Sequence, residues 1–215
     1  MNTKEQFRKM PVEKKTTAIS SILLILGSIA VLHLVNMLHD ELTVDRALAP
    51  MKSLSNARHL IVNGDYRGAV NELEDAMMQM RVIEQYTDSA SEAHMDRAVE
   101  DLELVEKEIR SDNLIEEDLN RAFFNSLNSI AYACMLMSEH NLDKGENYKA
   151  LHFMNATFQE MIASLKYVKD DELKHKEEKV IAHVRHILDK MESTKYTYKF
   201  DYDLINHELE ELIEN

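Results

Sequence analysis

The chain has 215 residues, 45% of them hydrophobic and 30% charged, with a formal net charge of −14. So acidic a balance excludes a nucleic-acid partner, because phosphate binding needs a basic face. A single cysteine, Cys134, excludes an intramolecular disulfide, and four Gly, two Pro and no Trp favour helices throughout.

The first distinctive segment is "TAISSILLILGSIAVLHLVNML", which has no Asp, Glu, Lys or Arg between Lys15 and Asp40. As a helix, residues 17–38 span about 33 Å, enough for a bilayer core of roughly 30 Å. Ser20, Ser21, Ser28, His33 and Asn36 make only a thin polar stripe on it. Lys4, Arg8, Lys9, Lys14 and Lys15 precede the run, while Asp40 and Glu41 follow it. The positive-inside rule then leaves residues 1–16 as a cytoplasmic tail and exports everything after the anchor. A cleaved signal peptide is the rival reading, with "GSIA" as its cut site. Its apolar core would be shorter than this one.

From residue 40 to 194 the pattern predicts six helices, and a seventh ends the chain. The first covers about 41–62, kinked or split at Pro50. The second runs from about Asp65 to Thr87, and "TDSASEAH" supplies the turn and cap before a third at about 91–110. "SDN" precedes a long fourth helix at about 115–140, which "NLDKGEN" ends. The fifth and sixth cover about 148–168 and 171–192. Stripes such as Val99, Leu102, Val105 and Ile109, or Val180, Val184, Ile187 and Met191, are the core sides of a bundle. In "KYTYKFDYD" the residues Tyr196, Tyr198, Phe200 and Tyr202 alternate at period two. That spacing predicts an extended aromatic strap across the helices, within a terminal segment 195–215 that closes with a short helix from Tyr202. Read as a docking strip instead, the same four rings are the candidate partner-binding residues.

Two internal similarities organise the domain. Ala57, Gly64, Tyr66, Ala69 and Ala76 fall at the spacing A-x6-G-x-Y-x2-A-x6-A. Over about residues 50–83 this resembles a tetratricopeptide-like helical hairpin, which implies two helices packed closely through small residues. A shift of 81 residues pairs Gly64 with Gly145, Ala69 with Ala150 and Met80 with Met161. It also pairs Tyr86 with Tyr167, His94 with His175 and Val99 with Val180. The chain therefore reads as a duplication of two three-helix units, about 41–112 and 115–194, sharing one core.

No local signature of catalysis is present: no G-x-S-x-G, no phosphate loop, no C-x-x-C and no H-E-x-x-H. His183 and His186 form H-x-x-H, and His175 and Glu172 precede them on the same helix as low-ranking metal candidates. A carboxylate-bridged site would need a second E-x-x-H, so these side chains read as surface or packing residues. Met77, Met78, Met80, Cys134, Met135 and Met137 read as core rather than as copper ligands. No cofactor is expected. The expected function is that of a non-enzymatic helical scaffold, adaptor or accessory subunit. It would be held to the cytoplasmic membrane by one N-terminal helix, with the domain in the periplasm against a protein complex. The alternative is an extracytoplasmic sensor or buffer that binds a small ligand or a metal.

Overall fold

Two of the helix exits use glycine, the residue that leaves a helix at least steric cost. The computed structural model describes residues 45–194 and 199–214, and these form an all-α bundle of seven helices. We label them α1 (45–62), α2 (Tyr66–Glu84), α3 (Ser89–Arg110), α4 (Glu116–Asp143), α5 (Asn147–Ser164), α6 (Asp171–Thr194) and α7 (Lys199–Ile213). Helix α1 is continuous through Pro50 rather than split there. Proline removes one N–H of the ladder, and the turns on either side still close. The proposed membrane span, 17–38, lies outside the described residues. Among those described, no helix is long and apolar enough to cross a membrane.

The ends of α1 and α4 are built alike. Gly64 and Gly145 take φ of 77° and 75°, the left-handed region that glycine enters without steric cost. Gly64 N–H donates to Ile61 C=O (3.0 Å) and Asp65 N–H to Leu60 C=O (2.9 Å). Gly145 N–H donates to Leu142 C=O (2.9 Å) and Glu146 N–H to Asn141 C=O (2.8 Å). Both pairs are Schellman closures. The exits of α2 and α5 also match: Tyr86 N–H reaches Ile83 C=O and Tyr167 N–H reaches Ser164 C=O, each at 2.9 Å.

The next helix pair departs from the ungapped match. Asp88 caps α3 through Ser91 N–H (3.0 Å), and Asp170 receives Leu173 N–H (2.8 Å) at the start of α6. The caps are 82 residues apart, not 81, because one extra residue lies between Tyr167 and Asp170. The buried stripes follow the caps: Met95, Ala98, Val99, Leu102, Val105 and Ile109 answer to Glu177, Val180, Ile181, Val184, Ile187 and Met191. His94 is buried while His175 is exposed, and Val99 and Val180 are both buried.

Helix α4 is the hub. One set of its side chains, including Phe123, Leu127, Ile130 and Cys134, joins the core built with α1, α2 and α3. Ala131, Tyr132 and Met135 join the core built with α5, α6 and α7. Small residues allow α5 to come close enough for side chains to reach across to backbone. Ser138 Oγ donates to Ala150 C=O (2.7 Å), and Thr157 Oγ1 donates to Ala131 C=O (3.2 Å).

The aromatic strap is corrected over its described part. Residues 199–213 are helical, so Phe200 and Tyr202 stand about 200° apart around α7 instead of on one side. Tyr196 and Tyr198 lie outside the described residues, as does the side chain of Phe200. Alternation over so few rings does not exclude a helix. A helix buries Ile205, Leu209 and Leu212 together with Tyr202, which a strand starting there would not. Tyr202 is fully buried against the molecule's own helices, its hydroxyl 3.0 Å from Ser138 Oγ and 3.6 Å from Met191 Sδ.

Tyr202→Ala should cost about 3–5 kcal/mol, the usual range for truncating a buried aromatic. For a domain of this size that lowers Tm by roughly 6–20 °C. Tyr202→Phe should cost only about 1 kcal/mol, because Ser138 keeps its bond to Ala150. Thermal melts followed by circular dichroism separate the two, and equal losses would show that the hydroxyl rather than the ring holds α7.

Candidate functional site

The histidine ladder does not assemble. His183 Nδ1–H donates to Glu208 Oε2 at 2.7 Å, and Lys179 Nζ donates to Glu208 Oε1 at 3.1 Å. His175 and His186 are exposed, and exposed Glu172 pairs with Lys176 at 3.3 Å. Eleven residues separate Glu172 from His183, about 16 Å along the helix axis, whereas metal–ligand bonds are near 2 Å. Among the described residues, no group of three or more His, Cys, Asp or Glu is placed to hold a metal ion. The sulfur-bearing residues are divided as well. Met80 is fully buried and Met78 is 59% exposed, while Cys134 and Met135 face different cores. Burial raises the Cys134 thiol pKa well above its ordinary value, and Glu160 adds to this. A thiol so placed stays protonated and inert.

What the helices do bring together is a half-open cavity of about 540 Å³ where α3, α4, the α5–α6 loop and the end of α7 meet. Its walls include His94, Arg97, Asn120, Arg121, Lys169 and Glu214. Arg97 donates from Nη2 to His94 Nδ1 (2.8 Å) and from Nε to Ala93 C=O (3.3 Å). This makes Nδ1 the acceptor, so the neutral imidazole carries its proton on Nε2. Burial, and then the Arg97 charge, lower the His94 pKa. The ring is fixed edge-on to Tyr132, centroids 5.4 Å apart, and Tyr132 OH donates to Glu210 Oε1 at 2.7 Å. Arg121 is committed to Asp118 (2.6 Å) and Lys169 to Glu116 (2.9 Å). Asn120 is only 6% exposed, and its Nδ2 has no partner. Most buried polar atoms are paired, so an unpaired amide on a cavity wall marks where an acceptor fits.

Two interior carboxylates escape sequence reasoning. Glu177 of α6 lies between α4 and α5 and is fully buried. Its Oε1 accepts from Ser164 Oγ and from Asn128 Nδ2 (3.3 Å), and its Oε2 is unpaired. Burial pushes the Glu177 pKa up to about 7, although both hydrogen bonds pull the other way. Glu160 of α5 is fully buried with both oxygens unpaired, and burial raises its pKa well above the carboxylate range. The signal was present in their register. Glu160 continues the stripe Phe153, Ala156, Thr157, and Glu177 stands three residues before Val180.

Comparison with protein-family models, with curated proteins and with solved structures returned no match.

Glu177 binds its proton more tightly folded than unfolded. Its contribution is therefore complete below about pH 4.5, falls as the pH rises towards 7, and is flat above that. A shift of this size corresponds to at most about 3 kcal/mol. Glu160 acts in the same direction, and His94 opposes both below about pH 6.5. Glu177→Gln isolates the effect. It should melt about 5 °C or more above the parent at pH 8 and level with it at pH 4.5. A difference between the two proteins that does not change with pH would reject this assignment.

Proposed function

We propose that the chain is a membrane-anchored, non-enzymatic helical scaffold: an adaptor or accessory subunit of a membrane or periplasmic protein complex. The observation that carries the reading is the charge-free apolar run 17–38, flanked by basic residues before and acidic residues after. On that reading residues 1–16 are cytoplasmic and the helical domain is exported from the cytoplasmic membrane. The repeated turns, exits and caps support an internal duplication, with α1–α3 and α4–α6 as two three-helix units; the tetratricopeptide-like hairpin is then α1–α2. Paired-helix units of this kind offer surfaces to protein partners. Val62 (73% exposed), Tyr66 (45%) and Tyr148 (74%) stand at the hairpin tips and suit such contacts.

A reporter fused after Asn215 should be active only in an exported compartment, and activity in the cytoplasm would overturn the topology. Affinity capture from mildly solubilised membranes should recover a stoichiometric protein partner. A chain that migrates alone across detergents and salts would remove the scaffold.

The cavity beside His94 favours a second reading, a bundle that binds a small polar ligand. Asn120→Leu removes an unpaired buried amide that costs about 1–3 kcal/mol, so the unliganded domain should melt higher. In a thermal-shift screen of small carboxylates and zwitterions, the same change should abolish any shift seen with the parent. If no compound shifts the parent, or if Asn120→Leu leaves the shift intact, this reading fails.

A further inference from the structure

A second cavity, of about 410 Å³, opens between α1, α4 and the end of α5. Leu48 and Met51 of α1, Leu127 of α4, Ala163 of α5 and Tyr167 form its largely apolar wall. Lys52 and Lys166 line it too, both exposed and neither in an ion pair with a described residue. No acidic residue lines it, although the chain has 39, and each of the three other cavities described has several. The domain repels anions generally, yet this groove has two cations and no anion. We propose that it binds the acyl chain of a long-chain carboxylate, a free fatty acid, with the head group between Lys52 and Lys166.

The charge pattern selects the head group: a cationic amphiphile would meet two unpaired ammonium groups, and an alcohol would leave them unused. The wall selects the tail, since each methylene removed from water strengthens binding about fourfold until the groove is full. Covalent connection selects the source, and here the inference rests on the anchor reading. Leu48, on the groove wall, follows Leu38, the last residue of the apolar run, by only ten residues of chain.

The test uses the full chain in liposomes of zwitterionic lipid carrying a trace of photoactivatable C16 carboxylate, with labelled residues located by mass spectrometry. Labelling is expected at Leu48, Met51, Leu127 or Tyr167. The double variant Lys52→Glu, Lys166→Glu should reduce it at least fivefold, and so should a C16 alcohol probe of the same chain. Ala163→Phe, which fills the groove from α5, should abolish it with helicity unchanged. Labelling confined to 17–38, or equal with acid and alcohol, or indifferent to both sets of variants, overturns the proposal. Flotation with the liposomes reports on the anchor separately. If the chain does not float, the same probe below its micelle concentration is applied in solution. Groove labelling there would sink the anchor and keep the fatty-acid site, and its absence would sink the site.

Discussion

The structure depends on burying one long helix from every side. Seventeen residues of α4 are buried, and they feed two separate cores. A helix's backbone satisfies itself, so what must be solved is its polar side chains. Ser126 Oγ returns to Ala122 C=O and Asn128 Nδ2 to Phe124 C=O, one turn back on α4 itself. Ser129 Oγ reaches His94 C=O on α3, and Ser138 Oγ reaches Ala150 C=O on α5. Each bond spends a hydroxyl or amide on a carbonyl that needs no further partner, so the polar groups are absorbed without a network. The gain is proximity, because Ser, Ala and Cys on α4 leave room for the larger side chains of both neighbouring sets.

That arrangement fails at Asn120, whose Nδ2 is unpaired, and at the seam with α6. The Asn128 side-chain oxygen has no partner, and the Glu177 carboxyl that its Nδ2 meets is half satisfied. A carboxylate in so apolar a place takes up a proton rather than remain charged. The contact of Glu177 on α6 with Asn128 on α4 and Ser164 on α5 is therefore sensitive to pH. Helix α7 depends on the same seam, since it packs on α4 and α6 and its Glu208 is held by Lys179 and His183 of α6.

Local chemistry was legible in the sequence, and long-range chemistry was not. Gly64 and Gly145 end helices where their spacing implied, and Asp65 and Asp88 accept the N–H groups that a cap must satisfy. The stripe Val99, Leu102, Val105, Ile109 is core. The caps Asp88 and Asp170 stand 82 rather than 81 residues apart, and one loop residue rotates a helix by about 100°, which sequence identity at two positions does not reveal. The alternating aromatics misled because period two over four residues competes with a longer apolar stripe through Ile205 and Leu209. In sequence, Glu160, Glu177 and Asn120 resemble any other polar residue of a helix. Only the partner helix determines whether such a position meets water, and the partner is remote in sequence.

Helix α7 shows how the two cores are closed. It buries Tyr202, Ile205, Leu209, Leu212 and Ile213 against the second core and exposes Asp203, His207, Glu211 and Glu214. A stacked helical unit leaves an apolar side uncovered until something polar on its outer face is laid over it. In the two-unit reading α7 does this for α4–α6, its outer face carrying acidic residues such as Asp203 and Glu211. The same covering explains why Tyr132 can stand in the core with a polar end: its hydroxyl meets Glu210 of α7. Without α7, the Tyr132 hydroxyl would lose Glu210 and Ser138 would keep only its bond to Ala150, so the second core completes its polar bonds only when α7 is in place.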